Sequence, residues 1–441
     1  MFIRNARIIT FDASNRVLDS GAVEVRADGS IGWIGPERDL QQSLPPTDVI
    51  DAGGKLLMPA LINCHTHLYS SLARGIRLRG TSPRNFTEIL KKLWWKLDSA
   101  LNEEDVYLSA MIGLIDSAKA GVATIFDHHS SPAVCCGSLD IIRDAFRQVG
   151  LRGCLSYETT DRNGKANAQA AIKENIRFIE RAESSKQDDT IGATFGLHAS
   201  FTLSDRTLHE CVEINQNRAG FHIHVAEDKS DVAYSRAHFH KSPVRRLADL
   251  GVLGNHTIAA HCVHVSAGDR EILAQRGVNV AHNPQSNCNN AVGTADLPKL
   301  FRHKVNVGLG SDGYSPRILD EFAAAFHQQK VRSGDPRAGY AEAFGALLNS
   351  REVARKVCGW NVGLIETGAR ADLMLVKYYP PTPLCSDNLF GHILFGISRS
   401  QVDSLWVNGK VVVRDGNCMG VDERAISEKA AARAQKLWSR M

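Results

Sequence analysis

Leu61-Ile62-Asn63-Cys64-His65-Thr66-His67 is the stretch on which the reading of this chain turns. It begins apolar and ends in two histidines separated by one residue. Side chains along a strand alternate between faces, so residues 65 and 67 point the same way and both imidazoles can reach one ion. Polar residues that merely close a strand produce the same pattern. Repetition is what gives it weight: further short apolar runs end at Asp127 and His128, at Glu158, His198, His224, His261, His282 and Asp312. Amphipathic, helix-length stretches at 103–120, 138–149 and 168–182 lie between them. Strands alternating with helices imply a parallel sheet with helical crossovers. Eight such units fit an α/β fold of the closed (β/α)8 TIM-barrel type, whose active sites sit at the C-terminal ends of the strands, where these His, Glu and Asp residues cluster. A doubly wound open sheet is the alternative; it would place a Gly-rich phosphate loop after its first strand, and none stands here.

Outward from the barrel, both chain ends share another grammar. Phe2-Ile3, Arg7-Ile8-Ile9-Thr10, Ala22-Val23-Glu24-Val25 and Ile31-Gly32-Trp33-Ile34 read as short strands between Gly, Asp and Asn turns. Residues 371–376 and 402–413 read the same way, the latter folding back at Asn408-Gly409 as a two-residue hairpin. The expectation is one composite β-sandwich domain from residues 1–57 and 366–441, with the barrel over 58–365.

The 441 residues exceed the roughly 250–300 at which one core stops growing, which agrees with two domains. The chain is 43% hydrophobic and 23% charged, an ordinary globular composition. Its 52 basic and 48 acidic residues leave a net charge of +4, with no dense basic run interleaved with aromatics, so nucleic acid is excluded as a partner. Charge interrupts the first apolar stretch, Met1 to Ile9, and no apolar run reaches ~18–20 residues, so the expectation is a cytoplasmic protein without a signal peptide or membrane span. The ten Cys form no C-x-x-C pair and are expected to be reduced, Cys64 and Cys262 as packing residues beside histidines. A homodimer is the expected assembly.

Three further segments join the His65/His67 pair. In Phe221-His222-Ile223-His224-Val225-Ala226-Glu227 either His can face inward, but His224 lies closer to Glu227, which could shuttle protons beside it. Ala259-Ala260-His261 and Gly308-Leu309-Gly310-Ser311-Asp312 add another His and a hard anionic ligand. Three neutral imidazoles and one carboxylate suit a divalent ion, Zn²⁺ with Fe²⁺ as the alternative, and leave a position for water.

These segments, with Gly53-Gly54-Lys55-Leu56-Leu57-Met58-Pro59 before them and Gly368-Ala369-Arg370-Ala371-Asp372-Leu373 after them, make the chain resemble the amidohydrolase superfamily in its adenosine/guanine deaminase and chlorohydrolase branch. It is most similar to SsnA-type aminohydrolases, in Leu93-Trp94-Trp95-Lys96, Asp127-His128-His129-Ser130, Tyr157-Glu158-Thr159-Thr160 and Ser286-Asn287-Cys288-Asn289. The resemblance implies His65, His67, His224 and Asp312 as ligands of one metal, Glu227 as proton shuttle and His261 as the group that polarises the substrate. It also implies that His198 touches the substrate. The fourth strand end reads Gly196-Leu197-His198-Ala199, without the lysine that bridges two metals in binuclear relatives, so a single ion is expected.

With Asp312 or Glu227 as base and Glu227 as acid for a poor leaving nitrogen, the expected reaction is hydrolytic deamination of a purine-like or related N-heterocycle. Single-metal ring opening of a cyclic amide, dechlorination and a non-catalytic binding role are the alternatives. Arg74, Trp95, His129, Glu158, His198 and Asn287 are the expected substrate contacts, although Trp95 also fits helical packing and Arg74 also fits an ion pair with Asp98.

Overall fold

The computed structural model describes residues 1–40, 49–78, 80–185 and 189–441. Its centre is parallel. Leu61–Thr66, Val122–His129, Arg152–Tyr157 and Ile191–Ala193 form one four-stranded sheet, and Phe195–Ala199, Phe221–Val225, Ile258–His261, Asn279–His282 and Asn306–Leu309 form a five-stranded one. The first three strands of the smaller sheet and four of the five in the larger are buried along their whole length, which is why they read as apolar runs without a polar face. The helices foreseen at 103–120, 138–149 and 168–182 are Glu103–Lys119, Ser138–Val149 and Lys165–Ser184. Asn102 and Asp105 form a reciprocal capping box at the start of the first, which fixes where it begins.

The two sheets abut on either side without a continuous ladder. On one side only Thr194 separates Ile191–Ala193 from Phe195–Ala199, and an isolated parallel bridge joins Thr159 to Leu197. On the other, Thr66 bridges Asp312, and the amides of Ser311 and Asp312 both donate to the carbonyl of His65 at 2.9 Å. The first and last strand ends, which carry His65, His67 and Asp312, are thereby locked together.

A nine-stranded sheet contains strands from both chain ends. Leu56–Pro59 joins them, pairing parallel with Phe2–Ile9 and antiparallel with Leu373–Val376. The hairpin foreseen at Asn408-Gly409 is present: Val402–Val407 pairs with Lys410–Arg414, and both turn residues have positive φ, 48° and 70°. Arg152 of the four-stranded parallel sheet is fully buried and reaches this sheet, donating through Nε to Asp372 (3.0 Å) and through Nη2 to Asn408 Oδ1 (2.6 Å). The terminal helix Glu423–Ser439 turns back onto the helix Glu103–Lys119, where Arg433 pairs with Glu104 and Asp105. No described helix is long and apolar enough to cross a membrane.

Candidate active site

The site is assembled from the C-terminal ends of the parallel strands. One ligating atom each from His65, His67, His224 and Asp312 lies within 4.8 Å of the others. Backbone strain aims Asp312 of this set and the neighbouring His261: both hold left-handed conformations, with φ of 54° and 73°, which non-glycine residues rarely keep without compensation.

The hydrogen bonds fix which nitrogens are free. His67 donates through Nδ1 to the carbonyl of His128 (2.6 Å), and His224 donates through Nδ1 to the carbonyl of His198 (2.7 Å). Their Nε2 atoms face each other at 3.1 Å, with Asp312 Oδ1 also 3.1 Å from that of His67. His65 meets His222 Nε2 through Nδ1 at 2.8 Å, and its own Nε2, 3.7 Å from Asp312 Oδ1, is buried without a hydrogen-bond partner. Acceptors crowded this closely out of water require positive charge among them. Asp312 draws a proton to His67: burial alone would depress that pKa, but the adjoining carboxylate lifts it to about 9. Burial dominates at His65 and holds it down at about 3. For Asp312 itself burial is outweighed by its two imidazole neighbours, so it stays ionised. Two imidazoles whose hydrogens are pinned outward on carbonyls, a third whose Nε2 has no partner, and one carboxylate are the donor set a divalent ion of the zinc type takes, and the residues present fit such an ion.

Beside this tetrad, Glu227, His261 and Asp312 form a second close group. Glu227 Oε2 is 3.5 Å from His261 Nε2, and Asp312 Oδ2 is 3.8 Å from the same nitrogen. Burial, then the charge of Asp312, pushes the Glu227 pKa well above the usual carboxylate range, so it stands as a neutral acid. Ser286 Oγ donates to Asp312 Oδ2, and Asn290 Nδ2 reaches both Glu227 and Ser286 at 3.4 Å.

The expected substrate contacts separate into groups. Trp95, Glu158 and His198 line a narrow pocket that also reaches His224, Glu227 and Asp312. A wider cavity of about 720 Å³ opens on His67 and Asp312 from the side of Ser70, Trp94 and Tyr314. Arg74 lines its rim, where it pairs with Asp116 rather than Asp98. His129 is fully buried, lines neither cavity and bonds to Ser131 Oγ at 2.8 Å. Asn287 is also fully buried; its Oδ1 accepts from His261 Nδ1 at 2.8 Å, which makes it a support for that histidine. His222, left open by the sequence reading, orients His65. His128 was marked only as a strand end and Ser286 only as one polar group after the strand that ends at His282; for His128 the double histidine at 128–129 was the available signal, because strand alternation turns one of the two inward.

The sequence pattern of the amidohydrolase family matches residues 56–412. Over 446 residues the chain is 31% identical to a 5-methylthioadenosine/S-adenosylhomocysteine deaminase of Pelotomaculum thermopropionicum, with all of this chain and 99% of that protein covered. Over 448 residues it is 31% identical to a 5'-deoxyadenosine deaminase of Methanosarcina mazei, again with full and 99% coverage. Its fold follows that of an adenosine deaminase from Xanthomonas campestris crystallised with bound zinc, at a TM-score of 0.86 and 23% identity over 99% of this chain and 98% of that one. With a family pattern that begins in the nine-stranded sheet at Leu56, spans both parallel sheets and ends back in the nine-stranded sheet at Val412, the chain belongs to the amidohydrolase family.

Proposed function

We propose that the chain is a metal-dependent aminohydrolase, which hydrolyses the C–N bond of an amino group on a purine-like or related N-heterocycle. Glu227 carries this reading: it is a buried, neutral carboxylic acid 3.5 Å from His261 and beside Asp312. An amino group leaves poorly as an amide ion and needs an acid, whereas chloride departs without one. The deaminase names of the two relatives point the same way.

His65, His67, His224 and Asp312 would hold one divalent ion, Zn²⁺ or Fe²⁺, which when bound lowers the pKa of water toward ~7. Asp312 Oδ2, steadied by Ser286, takes the proton from water, and Glu227 delivers one to the leaving nitrogen. His261 keeps its Nδ1 hydrogen on Asn287, so Nε2 is an acceptor in the neutral ring. The proton that Asp312 takes passes on to this nitrogen, 3.8 Å from Asp312 Oδ2, before His261 polarises a substrate oxygen or nitrogen, so Glu227 keeps its own for the leaving group. Trp95 and His198 would wall the heterocycle, with Arg74 at the outer rim. In this reading residues 58–365 close as a (β/α)8 barrel, and residues 1–57 with 366–441 form the composite β-sandwich.

Glu227→Gln is the test. It is expected to keep the metal and to lower ammonia release from aminated heterocycles by at least ~10²-fold, the usual size of a general acid–base contribution. Near wild-type turnover contradicts the assignment, and mass spectrometry of the products separates deamination from ring opening, which Glu227 would serve equally.

A further inference from the structure

Glu158 ends the strand Arg152–Tyr157, is only 4% exposed, and lines the narrow pocket. Two imidazoles bracket its carboxylate: His128 Nδ1 lies 3.4 Å from Oε2 and His198 Nε2 lies 3.7 Å from Oε1. Both rings have committed their hydrogens elsewhere. His128 donates through Nε2 to the carbonyl of His222 at 3.1 Å. His198 donates through Nδ1 to Thr202 Oγ1 at 2.6 Å, and the hydroxyl hydrogen of Thr202 goes on to the carbonyl of Ala199 at 3.1 Å. In the neutral rings, the nitrogens that face Glu158 are therefore lone pairs, and His128 Nδ1 is buried with no hydrogen-bond partner. The neighbouring cation, Arg162, is already bound to Asp98 and lies over the Trp95 ring. Three acceptors thus converge here and neither ring offers Glu158 a hydrogen, while Trp95 Nε1 and Arg162 Nε, the neighbouring donors, stay buried without partners; the converging acceptors cost free energy until a donor meets them.

Its position restricts what those donors are. One ligating atom each from Glu158, His128, His67 and His224 lies within 4.8 Å of the others, while Glu227 and His261 approach the tetrad through Asp312. The acceptor wall and the acid therefore approach the tetrad through different members of it. We infer that Glu158 is a specificity-determining residue: together with His198 it accepts from a ring N–H next to the carbon that loses its nitrogen. The inference rests on the deaminase reading above. It selects lactam- or cyclic-amidine-type heterocycles with a ring N–H beside the reacting carbon, and it disfavours rings whose nitrogens there are bare or alkylated. Glu227 protonates the ring or leaving nitrogen on one side while Glu158 holds the N–H on the other. A site built to bond an N–H rejects an analogue that lacks it far more strongly than it rejects a missing methylene, because its buried acceptors are left unpaired.

Guanine and 1-methylguanine, which differ only in that ring N–H, serve as probes. Calorimetric binding and ammonia release are measured for both on the metal-loaded wild type and on Glu158→Gln, with metal content determined alongside. The wild type is expected to favour guanine by at least ~10²-fold in kcat/KM and to bind it more tightly than the methylated base. Glu158→Gln should narrow that preference to within about tenfold by losing affinity for guanine, with unchanged metal content. Ammonia release with equal treatment of the two bases overturns the role of Glu158 alone. Discriminating, Glu158-dependent binding without ammonia release supports that role and overturns the deaminase reading. Two ions per wild-type chain falling to one in Glu158→Gln overturns the inference by making the carboxylate a metal ligand.

Discussion

Asn287→Ala tests how the site sets the protonation of His261. In the wild type the side-chain oxygen of Asn287 accepts from His261 Nδ1 at 2.8 Å, and both residues are fully buried. The alanine removes the acceptor and leaves a buried N–H without a partner, at a cost of about 1–3 kcal/mol. The ring escapes that cost by moving its hydrogen to Nε2, the nitrogen that faces Glu227 and Asp312. In that tautomer it can no longer take a proton on Nε2. Either outcome removes about 1–3 kcal/mol of transition-state stabilisation, a loss of about 5- to 150-fold in kcat/KM. The ligands of the tetrad are untouched, so metal content should stay constant, and Asn287→Asp, which keeps an acceptor in place, should recover much of the rate. Steady-state ammonia release with parallel metal analysis reads both quantities. Asn287→Ala within twofold of wild type, or a variant that loses its metal, refutes the reasoning.

Other consequences follow from individual contacts. His222→Ala removes the partner of His65 Nδ1 and should weaken metal affinity by about 10- to 100-fold, seen in competition with a chelator; unchanged affinity contradicts the orienting role. Asp372→Ala leaves the buried guanidinium of Arg152 without its carboxylate and should cost about 3–5 kcal/mol, measured as a lowered denaturation midpoint, whereas a surface-like loss below about 1 kcal/mol would show that the pair is not buried in solution. Gly196→Ala places a methyl 2.3 Å from the carbonyl oxygen of Tyr157 on the neighbouring strand, where only backbone can yield; a loss of about 1–3 kcal/mol is expected, and wild-type stability contradicts that close approach.

Much of the site was legible because short-range rules govern it. Alternation along one strand brings His65 and His67 to one face, and the positive φ demanded of Asn408 and Gly409 suits the residues found there. The alternation of buried strands with amphipathic helices was equally local. What was hidden depends on partners far apart in the chain. His222 meets His65 across 157 residues and Ser286 meets Asp312 across 26, so neither pairing follows from spacing. Asn287 looked like a group for a heterocycle edge because its amide could serve a ligand or a neighbour, and only the placement of His261 decides between them. Arg74 was matched with Asp98, but that carboxylate is held by Arg162 and Ser130, and Asp116 on the helix Glu103–Lys119 is the acid Arg74 meets. At the chain ends, the shared strand grammar announced a common sheet, but the sequence carried no signal that the final helix would fold back onto Glu103–Lys119.

The central claim is that His65, His67, His224 and Asp312 hold one divalent ion on which C–N hydrolysis depends. Metal analysis of the freshly purified chain, followed by ammonia release before and after chelation and re-addition of Zn²⁺ or Fe²⁺, tests it most directly. The account expects one bound ion per chain, loss of that ion in His65→Ala, and turnover that disappears with the metal and returns with it. Full ammonia release from protein stripped of metal, or undiminished metal content in His65→Ala, would contradict it.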